Sequence, residues 1–423
     1  MRHSSTAVAV RHGRLAARSA RGPLFRLIAA AVAVVVVSAG AVTAYAVGDT
    51  LHSLKPAIHL VSASGKTIAP PTVGAESGAV NILLAGTDTR TDQGGQFSTA
   101  DELAGSSGAG NNDVTMVLHL SADHQHATVI SIPRDLMAPI PSCPTSNGPT
   151  SAVSSGQFNT TLSIGGLSCV VLAAQQLTGL TIPYAAEISF DGVIAMSNAV
   201  GGVTVCLASA VTDPYVGLDL PAGEQTLVGA QALAFVRSRH GVGDGSDLGR
   251  ISDQQLFLSA LLRKATSAGV LSNPLTLYGL AKSATANIQL SDTLDSPTTL
   301  VSIALALKNV PLTDFVFVQY PSMTDPDDVN RVVPEPTGVA ALQQALTTDS
   351  PIQLTGTTGS ATEAAPSTAA PTATTVPTPA ATGSTPAPTS TTAATPAPTS
   401  TAVALPSDVT GQTAAEQTCT KGN

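Results

Sequence analysis

Charge is scarce in this chain: only 11% of its 423 residues are Asp, Glu, Lys or Arg, aromatics make up 3%, and tryptophan is absent. Where charge does collect therefore carries information. The first 26 residues hold six arginines (Arg2, Arg11, Arg14, Arg18, Arg21 and Arg26) and no acid. Setting these aside leaves 13 basic residues against 28 acidic ones, a net of −15. So acidic a remainder excludes general nucleic-acid binding. Cysteine is equally sparse. Cys143, Cys169, Cys206 and Cys419 form no C-x-x-C spacing, which argues against a zinc site, while their even number suits an oxidising exterior. Cys143 with Cys169 is the first pairing expected, leaving Cys206 free or paired with Cys419. No G-x-S-x-G elbow occurs, so serine hydrolase chemistry lacks its usual anchor. Ser-Gly-Lys-Thr at 64–67 has the ending of a phosphate-binding P-loop, yet Leu60 stands where the first glycine belongs. Of the histidines, His124 and His126 fall in a turn and His119 stands alone, a poor metal set.

What the chain does have begins with an uncharged run, LIAAAVAVVVVSAGAVTAYAV, at 27–47. Its length is that of a helix crossing a bilayer. The arginines before it place the N-terminus in the cytoplasm and the rest outside. Ala44-Tyr45-Ala46 resembles a signal-peptide cleavage site, but the run is long for a signal peptide, so an uncleaved single-pass anchor is expected. The organisation expected is a basic cytoplasmic segment (1–26), a membrane helix (27–47), an extracytoplasmic linker (48–78), a catalytic domain (79–350) and a disordered tail rich in Thr, Ala, Pro and Ser (351–423).

Within the domain, an apolar strand at 80–85 delivers Asp88 and Arg90 at its tip, and a Gly/Ser-rich loop follows. Two β-rich runs then flank a polar turn at 122–126. They form a hairpin whose open end carries Asp113 on one strand and Arg134 with Asp135 after the other. Helices are expected near 168–177, 191–200 (capped by Asp191), 223–234, 251–267, 274–286, 298–308 and 337–346, with strands at 184–190, 203–207 and 314–320. This alternation predicts an α/β fold, a mixed central sheet flanked by helices. Beside a membrane anchor, aliphatic helix faces could line a groove for a lipid chain.

Residues 232–254, ALAFVRSRHGVGDGSDLGRISDQ, hold three of the seven arginines beyond residue 26 (Arg237, Arg239 and Arg250) together with Asp244 and Asp247. Guanidinium forks match phosphate oxygens, and neighbouring aspartates either neutralise them or hold a hard cation. The motifs NILLAGTDTR, DVTMVLHL, SIPRD, FNTTLSIGG, AVGGVTV, GAQALAFVRSRH and DGSDLGRISDQQ follow one N-terminal apolar span in that order. In this the chain resembles the LytR-CpsA-Psr family of bacterial cell-envelope proteins.

The resemblance implies an extracytoplasmic phosphotransferase that joins a glycopolymer carried on polyprenyl pyrophosphate to peptidoglycan, with Mg²⁺ or Mn²⁺ at the pyrophosphate and an apolar tunnel for the polyprenyl chain. Carried over by position, Asp88 and Asp113 match the metal-linked acids. Arg90, Arg134, Arg237 and Arg239 match the pyrophosphate-binding arginines, and Arg250, Gln254 and Asp247 fall in the last motif. Either Asp113 or Asp247 could serve as general base. Gln157 and Asp253 depart from the family, which often has Lys and Arg there. A non-catalytic wall-binding or scaffolding protein is the competing reading. It leaves the focused arginines without a use. A transcriptional regulator conflicts with so small a cytoplasmic segment.

Overall fold

The computed structural model describes residues 48–49, 55–62, 64–68, 78–89, 110–267, 273–365 and 401–423. The expected membrane run at 27–47 and Arg90 lie outside the described residues.

The centre is a seven-stranded mixed sheet. In chain order its strands are β1 (Val80–Thr87), β2 (Asn112–Leu120), β3 (Ala127–Ile132), β4 (Tyr184–Ile188), β5 (Ile288–Leu290), β6 (Phe315–Gln319) and β7 (Gly411–Thr413). In space they run β5-β4-β1-β2-β3-β6-β7. β1 pairs antiparallel with β2 and parallel with β4, and β3 pairs antiparallel with β2 and parallel with β6. Every residue of β3 is buried, as expected for a strand covered on both faces.

The pleat sends alternate side chains to two separate cores. Leu83, Ala85, Val117, Ile130 and Val318 pack beneath α1 (Thr161–Thr178). Met116, Val129, Ala186 and Phe317 pack with Ile303 on the opposite side. Helix α1 with the turn before it, Phe158–Thr178, is long and apolar enough to cross a membrane, yet more than half of it is buried in the domain. It is a core helix. Gly165 and Gly166 kink its start, and Gly166 adopts φ 64°, a left-handed value suited to glycine. A Cβ on Gly165 would lie 2.9 Å from the Cβ atoms of both Cys143 and Cys169, which are disulfide-bonded.

A second, four-stranded sheet (Gly223–Leu227, Val203–Leu207, Thr418–Thr420, Thr362–Ala364) packs against helices α3 (Ala230–Arg237) and α4 (Asp247–Ala265) through its own apolar cluster, and α2 (Phe190–Ala199) packs on α3 through Phe190, Val193 and Leu233. Three expectations are corrected here. Residues 223–227 are strand rather than helix, since pairing with Val203–Leu207 outweighs their local preference. Ser189, not Asp191, caps α2, accepting from the Gly192 amide, and Asp191 sits in the first turn. The tail expected to be disordered from 351 contributes strands at Ile352–Gln353, Thr362–Ala364, Val403–Ala404, Gly411–Thr413 and Thr418–Thr420. Composition misses these because short polar strands are held by distant partners. Cys419 lies beside Cys206 in the sheet, and the two form a disulfide.

Candidate functional site

The open end of the β2/β3 hairpin is where charge gathers. Antiparallel register sets Thr115 opposite Ile132, so Asp113 and Arg134 emerge side by side. Arg134 Nη1 lies 2.7 Å from Asp113 Oδ1. The start of α4 closes onto them. Ser246 caps that helix by accepting from the Gly249 amide. Asp247 occupies the first turn, where the helix dipole favours a carboxylate. Asp247 Oδ2 accepts from the Arg134 amide at 3.3 Å, and Asp247 Oδ1 forms a short contact with Arg250 Nη2. The same Arg250 nitrogen donates to the Asp113 carbonyl at 3.2 Å. Asp113, Arg134, Asp247 and Arg250 therefore form one continuous network joining three elements.

Asp88, past the end of β1, accepts from the Asn111 amide at 2.6 Å. Burial pushes the Asp113 carboxyl above its ordinary value. Arg134 and Arg250 pull it down, while Asp88 and Asp247 add to the rise. Asp88 and Asp113 are thus near enough to feel each other, and a hard cation between them would relieve that repulsion. Among the described residues no cluster of three or more His, Cys, Asp or Glu could hold a metal unaided. The pair fits Mg²⁺ or Mn²⁺, because Mg²⁺ binds through one or two carboxylates and takes its other ligands from water and substrate phosphates.

Beside this network lies an apolar cavity of about 340 Å³. Leu84, Met116, Ile188, Val193, Phe257 and Leu261 line its greasy part, and Asp113, Arg237, Arg250 and Gln254 also reach its wall. Arg237, at the last turn of α3, lays its guanidinium 4.3 Å from the Phe190 ring centre, a cation–π arrangement. Gln254 donates its amide to the Val236 carbonyl at 2.9 Å, which braces α3 against α4. A larger open depression of about 870 Å³ beside residues 351–358 and 401–416 has no arginine on its wall.

Arg239 does not line the cavity. Its loop is organised by a residue that sequence reading passed over. The buried Asp213 carboxylate Oδ2 accepts from Ser238 Oγ and from the amides of Arg239, His240 and Gly241, at 2.8 to 3.3 Å. Burial alone would raise the Asp213 pKa, and these donors more than reverse it, leaving it below the ordinary value. Across the loop, Gly243 donates to the Lys421 carbonyl and Asn423 to the Gly241 carbonyl. The segment carrying Arg239 is held on both sides. No sequence signal marks Asp213, because its partners in the arginine loop lie more than twenty residues away.

The two departures from the family also find places. Gln157 donates to Asp135 Oδ1 at 2.8 Å, and Arg331 Nη1 lies 3.1 Å from the same oxygen. Asp253 is fully buried and faces Thr420, whose hydroxyl donates to it. Burial raises its pKa to about 8.

A mixed α/β fold with arginines and aspartates at the rim of an apolar cavity sets the class of protein. The chain belongs to the LytR_cpsA_psr family, whose profile matches residues 39–335. It is 32% identical over 324 residues to the cell wall biosynthesis protein LcpA of Corynebacterium glutamicum, covering 72% of this chain and 61% of that protein. It is 27% identical over 252 residues to the polyisoprenyl-teichoic acid–peptidoglycan teichoic acid transferase TagT of Bacillus subtilis, covering 57% of this chain and 70% of the relative. The chain spans little more than three fifths of the Corynebacterium relatives, 61% of one and 62% of another. The crystal structure of a Streptococcus agalactiae protein superposes with a TM-score of 0.53 at 21% identity, over 66% of this chain and 91% of that one. That likeness establishes the shared fold.

Proposed function

We propose that this chain is an extracytoplasmic phosphotransferase that moves a glycopolymer from a polyprenyl-pyrophosphate carrier to peptidoglycan, leaving a phosphodiester. The observation that carries the reading is the placement of Arg237, Arg250 and Asp113 on the wall of an apolar cavity. An amphiphile with a diphosphate head is the ligand such a wall suits, the chain in the cavity and the head among the guanidinium groups. The name of TagT, a transferase of polyisoprenyl-linked teichoic acid to peptidoglycan, supports it.

In the step envisaged, an acceptor hydroxyl oxygen attacks the phosphorus bonded to the glycopolymer. The bond from that phosphorus to the bridging oxygen breaks, and polyprenyl phosphate leaves with the electron pair. Negative charge grows on the bridging and non-bridging oxygens, where arginines stabilise it with little covalent help from the protein. Either Asp113 or Asp247 serves as general base for the hydroxyl proton, and Asp247 is the one left for it where Asp113 holds a cation. A divalent cation held by Asp88 and Asp113 would add charge neutralisation at the diphosphate. Water in place of the acceptor would give a pyrophosphatase side reaction.

An oxidising location accords with the disulfides Cys143–Cys169 and Cys206–Cys419. With the arginines before residue 27, it supports a single-pass membrane protein whose folded domain faces outward.

The test is release of polyprenyl monophosphate by the purified full chain given a lipid-linked glycopolymer and glycan strands, with Mg²⁺ or with chelator. Metal-dependent release with glycopolymer joined to the strands is expected. Binding of strands without carrier binding or turnover would return the protein to the scaffolding class.

A further inference from the structure

Tyr215 sits at the tip of a small hairpin, Val211–Asp213 paired with Leu218–Leu220. Its side chain is 78% exposed, and it is the one aromatic among the exposed large hydrophobic residues described. A single exposed apolar residue is ordinary on a protein surface. This one differs in being held. The Tyr215 amide donates to Asp213 Oδ1 at 3.1 Å, while Oδ2 of the same carboxylate fixes the Arg239, His240 and Gly241 amides. One buried side chain thereby sets the hairpin tip against the arginine loop. The result is an aromatic pair, with the rings of Tyr215 and His240 4.4 Å apart between centres and tilted by 37°. The His240 carbonyl also accepts from Asn423 Nδ2 at 3.0 Å.

The pair is placed at a boundary. Val216, the next residue, lines the apolar cavity, as does Arg237. Arg239 adjoins His240, and its buried Nε has no hydrogen-bond partner. Three kinds of surface thus adjoin along the chain here: aliphatic at Val216, cationic at Arg237 and Arg239, and exposed aromatic at Tyr215 and His240. A lipid suits the first zone and phosphate the second. A ligand for the third needs an apolar face to lie on a ring and polar edges to meet imidazole and guanidinium nitrogens. A pyranose has both, with axial C–H groups on its face and hydroxyls around its rim.

We infer that Tyr215 and His240 form a sugar-binding subsite that stacks a pyranose ring beside the diphosphate arginines. The inference rests on the transferase reading above. The ring expected there is the glycopolymer sugar attached to phosphate, and a sugar of the acceptor glycan strand has the same chemistry.

Binding of three probes to the full chain in detergent separates these sources. They are polyprenyl pyrophosphate alone, polyprenyl pyrophosphate bearing one N-acetylhexosamine, and a soluble peptidoglycan glycan strand. Tyr215→Ala should weaken the sugar-bearing carrier roughly threefold to tenfold, the range for loss of one aromatic stacking contact. It should leave the sugar-free carrier unchanged, and Tyr215→Phe should bind as wild type does. A loss confined to the glycan strand keeps the subsite and assigns it to the acceptor. Equal loss for both carriers, or no loss for any probe, overturns it. If the wild-type chain binds neither carrier, the diphosphate reading falls, and the subsite is then judged on the glycan strand alone: weakened by Tyr215→Ala it stands, unchanged or unbound it falls. The exposure of Tyr215 keeps these variants folded.

Discussion

Arg134 Nη1 and Asp113 Oδ1 lie 2.7 Å apart across the open end of the β2/β3 hairpin. Neither charge is left to its partner alone. The Arg134 amide donates to Asp247, and Arg250 donates to the Asp113 carbonyl. Four charged residues from two strand ends and a helix start thus reach a fixed geometry before any ligand arrives. Preorganisation of this kind gives electrostatic catalysis its strength.

Arg237→Ala should lower kcat/KM for glycopolymer transfer by about thirtyfold or more, equivalent to ~2 kcal/mol of transition-state stabilisation. The guanidinium stands at the cavity wall over Phe190. Arg237→Lys should recover only part of the loss, because an ammonium cannot fork across two oxygens. Steady-state kinetics check this, and wild-type turnover in the alanine variant would remove Arg237 from the site.

Asp113 gives the reaction a pH signature. Its folded pKa is raised by burial, so the basic form appears at a higher pH than for an ordinary carboxylate. The acid limb of kcat/KM should therefore lie above the usual aspartate range, with activity rising as pH increases. Asp113→Asn should abolish both limb and turnover while Arg134→Ala, which removes a charge that lowers this pKa, shifts the limb further up. A limb that stays in place in Arg134→Ala would assign it to another group.

Asp253 should govern stability rather than rate. Its pKa is raised to about 8 in the fold, so the neutral form is the folded one. Its contribution is fully present below the unfolded carboxylate pKa of about 4 and is lost as pH rises through about 8, at no more than ~1.4 kcal/mol per pH unit. Asp253→Asn keeps the shape and should flatten this part of the profile in thermal melts between pH 4 and 9. Asp253→Arg should destabilise at every pH, since Thr420 closes the pocket.

Cys419→Ser should cost about 2–4 kcal/mol of stability, the usual range for a native disulfide. It should also lower transfer more than carrier binding, because residues 421–423 brace the loop at 240–243. Chemical denaturation and the separate measurement of kcat and binding test the two effects. Cys143→Ser should affect stability alone, as that bridge adjoins Gly165 in α1 and not the arginine loop.

Much of this arrangement can be read from the chain because its signals are local. Alternating apolar residues around a polar turn give the β2/β3 hairpin, and the hairpin by itself puts Asp113 beside Arg134. Aliphatic periodicity finds α4 and the core helices, and Cys143 with Cys169 is the first pair expected. What escapes the eye depends on distant partners. The strand at 223–227 exists through Val203–Leu207. Asp213 matters through amides more than twenty residues later. The strands beyond residue 351 are short and embedded in a Thr/Pro/Ala-rich composition, so only pairing across the domain reveals them.

Strand β7 joins the central sheet from residues 411–413, and Cys419 meets Cys206 across a sequence separation of 213. A polypeptide delivered N-terminus first presents every arginine of the site well before it presents these last strands. Contacts so far apart along the chain close slowly. In the outward orientation proposed for the domain, the loop of Arg239 therefore acquires its second brace only after residues 421–423 have crossed. In that orientation, maturation is tied to the arrival of residues 411–423 and to an oxidant for the Cys206–Cys419 bridge.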